Sequence, residues 1–348
     1  KLSVVIPHTP MNLISINGAV PNSPIVYSGQ KSYDHMGKKG RLITCIKSNS
    51  AALAPAYPNW RWAACGFATW IPRRRNLLLR TAMEQGINFF DHADIYGKGG
   101  SESLFASALG MAPSLRGQIV IQTKCAIHDG MYDFSKEHIL KKRRVQPQAL
   151  QTDYIDILLL HRPDTLMEPE EVAEAFAALR QAEKVRYFGV SNQNAAQMAL
   201  LQSALGEKLL VNQLQFGLAH TGIIDAGFNV NMKNEAGLLR DGGILEIAVQ
   251  RDYHPGMVAL QYGFFGGVFL DNPAYPELNS ALEEIAREKQ VSKSAVAISW
   301  ILRHPANIQP ILGTTSREHL LEMCRASDIT LSRAEWYGLY RTAGNRLP

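Results

Sequence analysis

Gly86-Ile87-Asn88-Phe89-Phe90-Asp91-His92-Ala93-Asp94-Ile95-Tyr96-Gly97 is the stretch on which the fold turns. A short apolar run, residues 87–90, opens behind a glycine placed as a helix C-cap and runs straight into Asp91-His92-Ala93-Asp94. The same succession recurs along the chain. Residues 118–123 end in Lys124, 154–160 in His161-Arg162, and 185–190 in Ser191-Asn192. Residues 209–214 carry Asn212-Gln213, and 308–312 end in Gly313-Thr314-Thr315. Helical spacing over 101–109, 169–183, 194–205 and 294–303 fills the intervals, with Gly110 as a second C-cap. Strand–helix alternation implies a parallel sheet. Reactive groups at the C-terminal ends of many strands fit a closed barrel, which builds its site on that face. A doubly wound sheet gathers its site at one switch point and opens on GxGxxG, a motif this chain lacks. The expected fold class is α/β, a (β/α)8 TIM barrel with an irregular N-terminal segment.

The 348 residues suffice for one such barrel, and 46% hydrophobic against 19% charged residues exclude disorder as the main state. No run of 18 apolar residues exists, which argues against a membrane span. Cys45, Cys65, Cys125 and Cys324 show no CxxC spacing, so neither a disulfide framework nor a zinc site is expected. The N-terminus lacks an uninterrupted apolar run and a small-residue cleavage site, which reads as no signal peptide and a cytoplasmic protein. The net charge of +5 is diffuse: it speaks against nucleic acid and suits an anionic cofactor. Residues 1–76 are rich in Pro, Gly, Ser and Asn and hold no period for long. The expected division is an irregular, poorly packed segment over 1–60 and a barrel over 61–348.

The 86–97 stretch followed by Ser101-Glu102 closely resembles the signature of the aldo-keto reductase family. The resemblance continues through Lys124, through Leu158-Leu159-Leu160-His161-Arg162-Pro163-Asp164, through Gly189-Val190-Ser191-Asn192 and through Asn212-Gln213. It implies a barrel enzyme reducing a small-molecule aldehyde or ketone. Asp91, Tyr96, Lys124 and His161 match the family's catalytic four, and Ser191, Asn192 and Gln213 match its nicotinamide-carboxamide contacts. Gly313, Thr314 and Thr315 precede a helix start able to bind phosphate. The family usually grips the adenosine 2′-phosphate with a basic side chain beyond this turn, where Arg317 and His319 stand. The cofactor implied is NADP(H), with NAD(H) as the alternative.

Chemistry agrees with those roles. Hydride delivery to a carbonyl leaves an alkoxide, so a proton donor must stand beside the oxygen. Tyrosine is a sluggish donor near neutrality unless an ammonium lowers its pKa, which Lys124 can do, with Asp91 balancing the charge. His161 would orient the carbonyl by hydrogen bonding. Asp94 reads as a structural cap of the Tyr96 loop, and His92, Cys125 and His128 as bystanders. No ligand-spaced set points to a metal.

Three segments depart from the family pattern: residues up to 76, 141–150 and 247–259. Read in another frame, permitted codons for 60–67 allow A-L-G-C-M-R-I, those for 141–150 allow R-S-V-E-C-S-L-K-R-L, and those for 252–259 allow I-I-I-Q-A-W-S-P. Each restores what the family shows at that place. The segments look frameshifted relative to the family; a divergent member is the alternative. The altered first and seventh strands keep open a second function, a catalytically weak cofactor-binding regulatory or interaction protein on the same barrel. Pro255 and Gly256 make 252–258 a poor central strand.

Overall fold

The computed structural model describes residues 3–5, 61–63, 72–239, 241–251, 254–258, 268–306 and 308–348. All belong to one compact unit built from Lys1–His8 and Pro58–Pro348. Its strands in chain order are β1 (Ser3–Val5), β2 (Arg61–Ala63), β3 (Phe89–Asp91), β4 (Val120–Cys125), β5 (Ile127–His128), β6 (Met131–Tyr132), β7 (Ile155–Leu160), β8 (Val185–Ser191), β9 (Val211–Gln215), β10 (His254–Val258) and β11 (Gln309–Leu312). Among the described residues β2, β3, β4, β7, β8, β9, β10 and β11 follow one another around a closed barrel, and parallel pairing of β11 with β2 closes it. The barrel is the one expected. β1 pairs antiparallel with β2 and β11, a regular strand within the stretch expected to be irregular; the rest of 1–60 lies outside the described residues. β5 and β6 form a hairpin of their own between β4 and the next helix.

The helices are α1 (Pro72–Glu84), α2 (Ser101–Leu109), α3 (Pro113–Arg116), α4 (Lys136–Ala149), α5 (Pro169–Gln181), α6 (Ala195–Ala204), α7 (Gly222–Phe228), α8 (Ile244–Arg251), α9 (Pro276–Lys289), α10 (Lys293–Leu302), α11 (Arg317–Cys324) and α12 (Arg333–Thr342). Side-chain caps begin several of them: Ser135, Asn194, Ser292, Ser316 and Ser332 each accept a first-turn N–H. α1 ends in a Schellman motif, with Gly86 at φ +81° and the Ile87 N–H returning to the Ala82 carbonyl. That places Ile87 in the helix terminus, so β3 starts at Phe89, later than its apolar run.

β4 and β7 are buried along their whole length, as strands covered on both faces must be. The polar exception in β7 is Asp156. Its carboxylate takes Arg116 at 2.7 Å, Arg186 at 3.1 Å and the Ile121 N–H at 2.9 Å, so no charge is left unpaired. The two guanidiniums also lie 3.8 and 4.0 Å from the Tyr154 ring centroid, tying the bottom of three strands together. The expectation that 252–258 makes a poor central strand is corrected over its described part: His254–Val258 pairs with β9 throughout, and with β11 from Gly256 onward. Pro255 stands before the β11 ladder begins, near the strand's opening, where a missing N–H is tolerated.

Candidate active site

Alternation along β4 sorts its side chains. Gln122 and Lys124 turn to the barrel axis, while Thr123 turns outward to α2 and α4, bonding Glu102 and Gln146. Asp91 ends β3 opposite Gln122 in the ladder. Lys124 Nζ lies 2.8 Å from each Asp91 oxygen, 2.7 Å from the His92 carbonyl oxygen and 3.3 Å from the Tyr96 hydroxyl. An ammonium has three hydrogens, and these partners use all of them. Tyr96 is half-buried, in a loop held by its own N–H to the Ala93 carbonyl. Asp94 does not cap that loop; its carboxylate pairs with Lys142 on α4 at 2.6 Å.

His161 follows β7, its ring edge-on to Tyr96 with centroids 5.9 Å apart. Burial, then the charges of Lys124 and Arg162, hold its pKa down to about 2, so the imidazole is neutral at any working pH. Nδ1 is buried and makes no hydrogen bond. The four residues that the resemblance implies as catalytic are thus in one place.

The β8 and β9 ends adjoin them. Ser191 Oγ donates to the Gln213 carbonyl at 3.0 Å, and Asn192 Nδ2 donates to Ser191 Oγ at 2.8 Å from a left-handed backbone at φ +59°. The Gln213 side chain reaches inward, donating to Asp91 Oδ2 at 3.2 Å and accepting from Gln122 at 3.0 Å. Gln122 was not foreseen. The signal available was a polar residue two before Lys124, on the same face of the same strand.

The last group stands apart, at the end of β11. Thr314 is buried and its Oγ1 accepts the Ser316 N–H at 3.0 Å; Gly313, Thr315, Arg317 and His319 are exposed at the start of α11. Arg317 Nε donates to Thr81 on α1 at 3.0 Å, which fixes the base of its guanidinium.

Two further clusters went unread. Glu102, quoted only as part of a motif, is buried on α2 and accepts from Thr123 Oγ1 at 2.5 Å; burial pushes its pKa up to about 7. Gln146 of α4 donates to Thr123 Oγ1 and, at 2.8 Å, to the Lys124 carbonyl, pinning the Lys124 backbone. At the hairpin, His128, Asp133 and His138 bring two imidazoles and a carboxylate within 4.8 Å, a donor set that sequence spacing did not suggest. The rings stack nearly parallel, 9° apart, so their lone pairs run in separate planes and do not converge on one point.

A parallel eight-stranded barrel with Asp91, Lys124, Tyr96 and His161 at its C-terminal mouth defines a class of barrel enzymes. The model of the aldo/keto reductase family matches residues 70–339. An uncharacterized oxidoreductase of Bacillus subtilis, YcsN, is 37% identical over 275 residues, 76% of this chain and 86% of its own length. A 6-dehydroglucose reductase of Agrobacterium fabrum is 34% identical over the same shares. An aldo/keto reductase from Klebsiella pneumoniae in complex with NADP and acetate superposes with a TM-score of 0.64 at 24% identity, covering 82% of this chain and 93% of that one. The chain belongs to the aldo/keto reductase family. Among the described residues no helix is long and apolar enough to cross a membrane.

Proposed function

We propose that the chain reduces an aldehyde or ketone to an alcohol with NADPH, Tyr96 giving the proton. The observation that carries this is the 3.3 Å approach of Lys124 Nζ to the Tyr96 hydroxyl, with Asp91 closing the charge balance behind it. The residues fit a nicotinamide dinucleotide. Gln213 leaves one N–H and one lone pair unspent at the mouth, and Arg317 and His319 stand exposed beyond β11 to meet a phosphate. When bound, that cofactor supplies the hydride for the carbonyl carbon. Asn192, Ser191 and Gln213 hold the carboxamide. The neutral His161 donates an N–H to the substrate oxygen and fixes its direction. As charge grows on that oxygen the Tyr96 hydroxyl releases its proton to it, and the Lys124 ammonium stabilises the phenolate left behind. Asp91 anchors the ammonium throughout.

A cytoplasmic site of action belongs to the same reading, as does a barrel that starts at residue 61 with β1 of the preceding segment paired onto it. NADPH titration with a panel of aldehydes and ketones tests it, using Tyr96→Phe as the control. Turnover that drops by about two orders of magnitude in the variant, with NADPH affinity unchanged, is expected. Binding without turnover in the native chain would favour the regulatory alternative.

A further inference from the structure

Gln122 has no place in the reduction as written. Yet it is fully buried inside the barrel, and its carbonyl oxygen meets no hydrogen-bond donor. An apolar side chain of that size would avoid that cost. What the glutamine adds is two N–H groups, both spent: one on Asp91 Oδ1 at 2.5 Å, one on Gln213 Oε1 at 3.0 Å.

Those bonds have a direction that can be worked out. Asp91 faces the Lys124 ammonium with both oxygens, and a carboxylate so paired only accepts. The atom that each glutamine presents to Asp91 must therefore be its nitrogen. For Gln122 this leaves the second hydrogen of the same nitrogen aimed at Gln213. Gln213 must then turn its oxygen to Gln122 and its nitrogen to Asp91 Oδ2, where it is found at 3.2 Å. The two constraints agree, and a flipped Gln213 would set oxygen against carboxylate and nitrogen against nitrogen. Held this way, Gln213 spends the edge that carries its oxygen and nitrogen side by side, and the lone pair left on Oε1 and the hydrogen left on Nε2 point to opposite sides. The fixed Oε1 lone pair can accept from the N–H of a primary carboxamide, which a ketone does not offer.

We propose that Gln122 is a positioning residue that transmits the polarity of the Lys124–Asp91 pair to the Gln213 amide and thereby makes the site selective for a primary carboxamide on the cofactor ring. The proposal rests on the reading of Gln213 as a carboxamide contact. It ties two sets of residues otherwise treated separately: the ion pair beside the proton donor also decides which ring substituent is accepted.

The test measures binding, not turnover. Dissociation constants are taken for NADP and for its 3-acetylpyridine analogue, whose methyl ketone lacks the N–H, and for 2′-phospho-ADP-ribose, which has no ring. The native chain should prefer the carboxamide by about tenfold, the worth of one such hydrogen bond. Gln122→Met, which keeps the length and loses both donors, should bring the preference to within about threefold while 2′-phospho-ADP-ribose binds as before. Gln122→Glu holds the shape with at most one proton to share; it should lower the preference likewise and decides the matter if the first variant does not fold. Gln213→Met separates the two readings. Loss of the preference there but not in either Gln122 variant overturns this proposal alone. Persistence of the preference in Gln213→Met removes Gln213 from the carboxamide and the proposal with it.

Discussion

The ammonium of Lys124 lies 2.8 Å from both carboxylate oxygens of Asp91, and neither residue is more than 1% exposed. A pair so deep is costly to desolvate and is tolerated because every lone pair and hydrogen in it is engaged. Asp91 accepts from Lys124, Gln122 and Gln213, and Lys124 also donates to the His92 carbonyl and the Tyr96 hydroxyl. Removing one partner strands the other. Asp91→Asn leaves an ammonium without a counter-charge and should cost about 3–5 kcal/mol of stability. Urea unfolding reads it directly, and a loss below about 1 kcal/mol would mean that the pair is not the anchor of the mouth.

Glu102 gives a pH signature with a definite sign. Its pKa stands at about 7 in the fold against 4.5 for an ordinary glutamate, because burial disfavours the charged form. Between those values the unfolded chain has lost the proton that the native chain keeps, so stability falls as pH rises from 4.5 to 7 and is flat beyond. The full span is on the order of 3 kcal/mol. His92 and His161, held at about 3 and about 2, act oppositely: they cost stability as pH drops below 6.5. The comparison is therefore native chain against Glu102→Gln at pH 5 and pH 8. The native chain should lose more stability over that interval than the variant, and parallel profiles would contradict the assignment.

Gly189 is fixed by a close approach. A Cβ there would meet the Val211 carbonyl oxygen at 2.5 Å and a Leu159 methyl at 2.6 Å, one of them backbone of the neighbouring strand. Gly189→Ala must push β8 from β9, at an expected cost of about 3 kcal/mol. Ser191, two residues on, pairs with Gln213 across the same gap, so NADPH affinity should fall with stability. Calorimetry and cofactor titration check the two effects separately.

How much was legible in the sequence follows from which forces are local. α2 was read residue for residue, because Gly110 ends it at φ +61° and the amphipathic spacing needs no partner. β4 was read as ending at Thr123, since a lysine looks like a strand's edge; in the barrel Lys124 and Cys125 continue the ladder against Leu159 and Leu160. The four catalytic matches came from the resemblance of their motifs to the family signature, which needs no knowledge of the fold. Gln122 did not, because its meaning lies in the pairing of Asp91 with Gln122 across two strands 31 residues apart in sequence. The His128–Asp133–His138 cluster needs a hairpin and a helix start folded onto each other, and only the fold supplies that.

The seventh barrel strand carries the last prediction. The structure threads His254–Val258 between β9 and β11, with Met257 beside Leu214 and Pro310. In the alternative frame the tryptophan falls at Met257 and the serine at Val258. By family resemblance these are the aromatic that stacks on the nicotinamide and the hydroxyl near the cofactor phosphates. Stacking and one charge-assisted hydrogen bond are together worth roughly 2–4 kcal/mol. Met257→Trp with Val258→Ser, placed in the ladder already formed, should therefore tighten NADPH binding by on the order of 30- to 1,000-fold. Melting temperatures of both chains control for folding. Equal dissociation constants would show that the printed strand is already competent, and that a frameshift is not the reason this segment departs from its family.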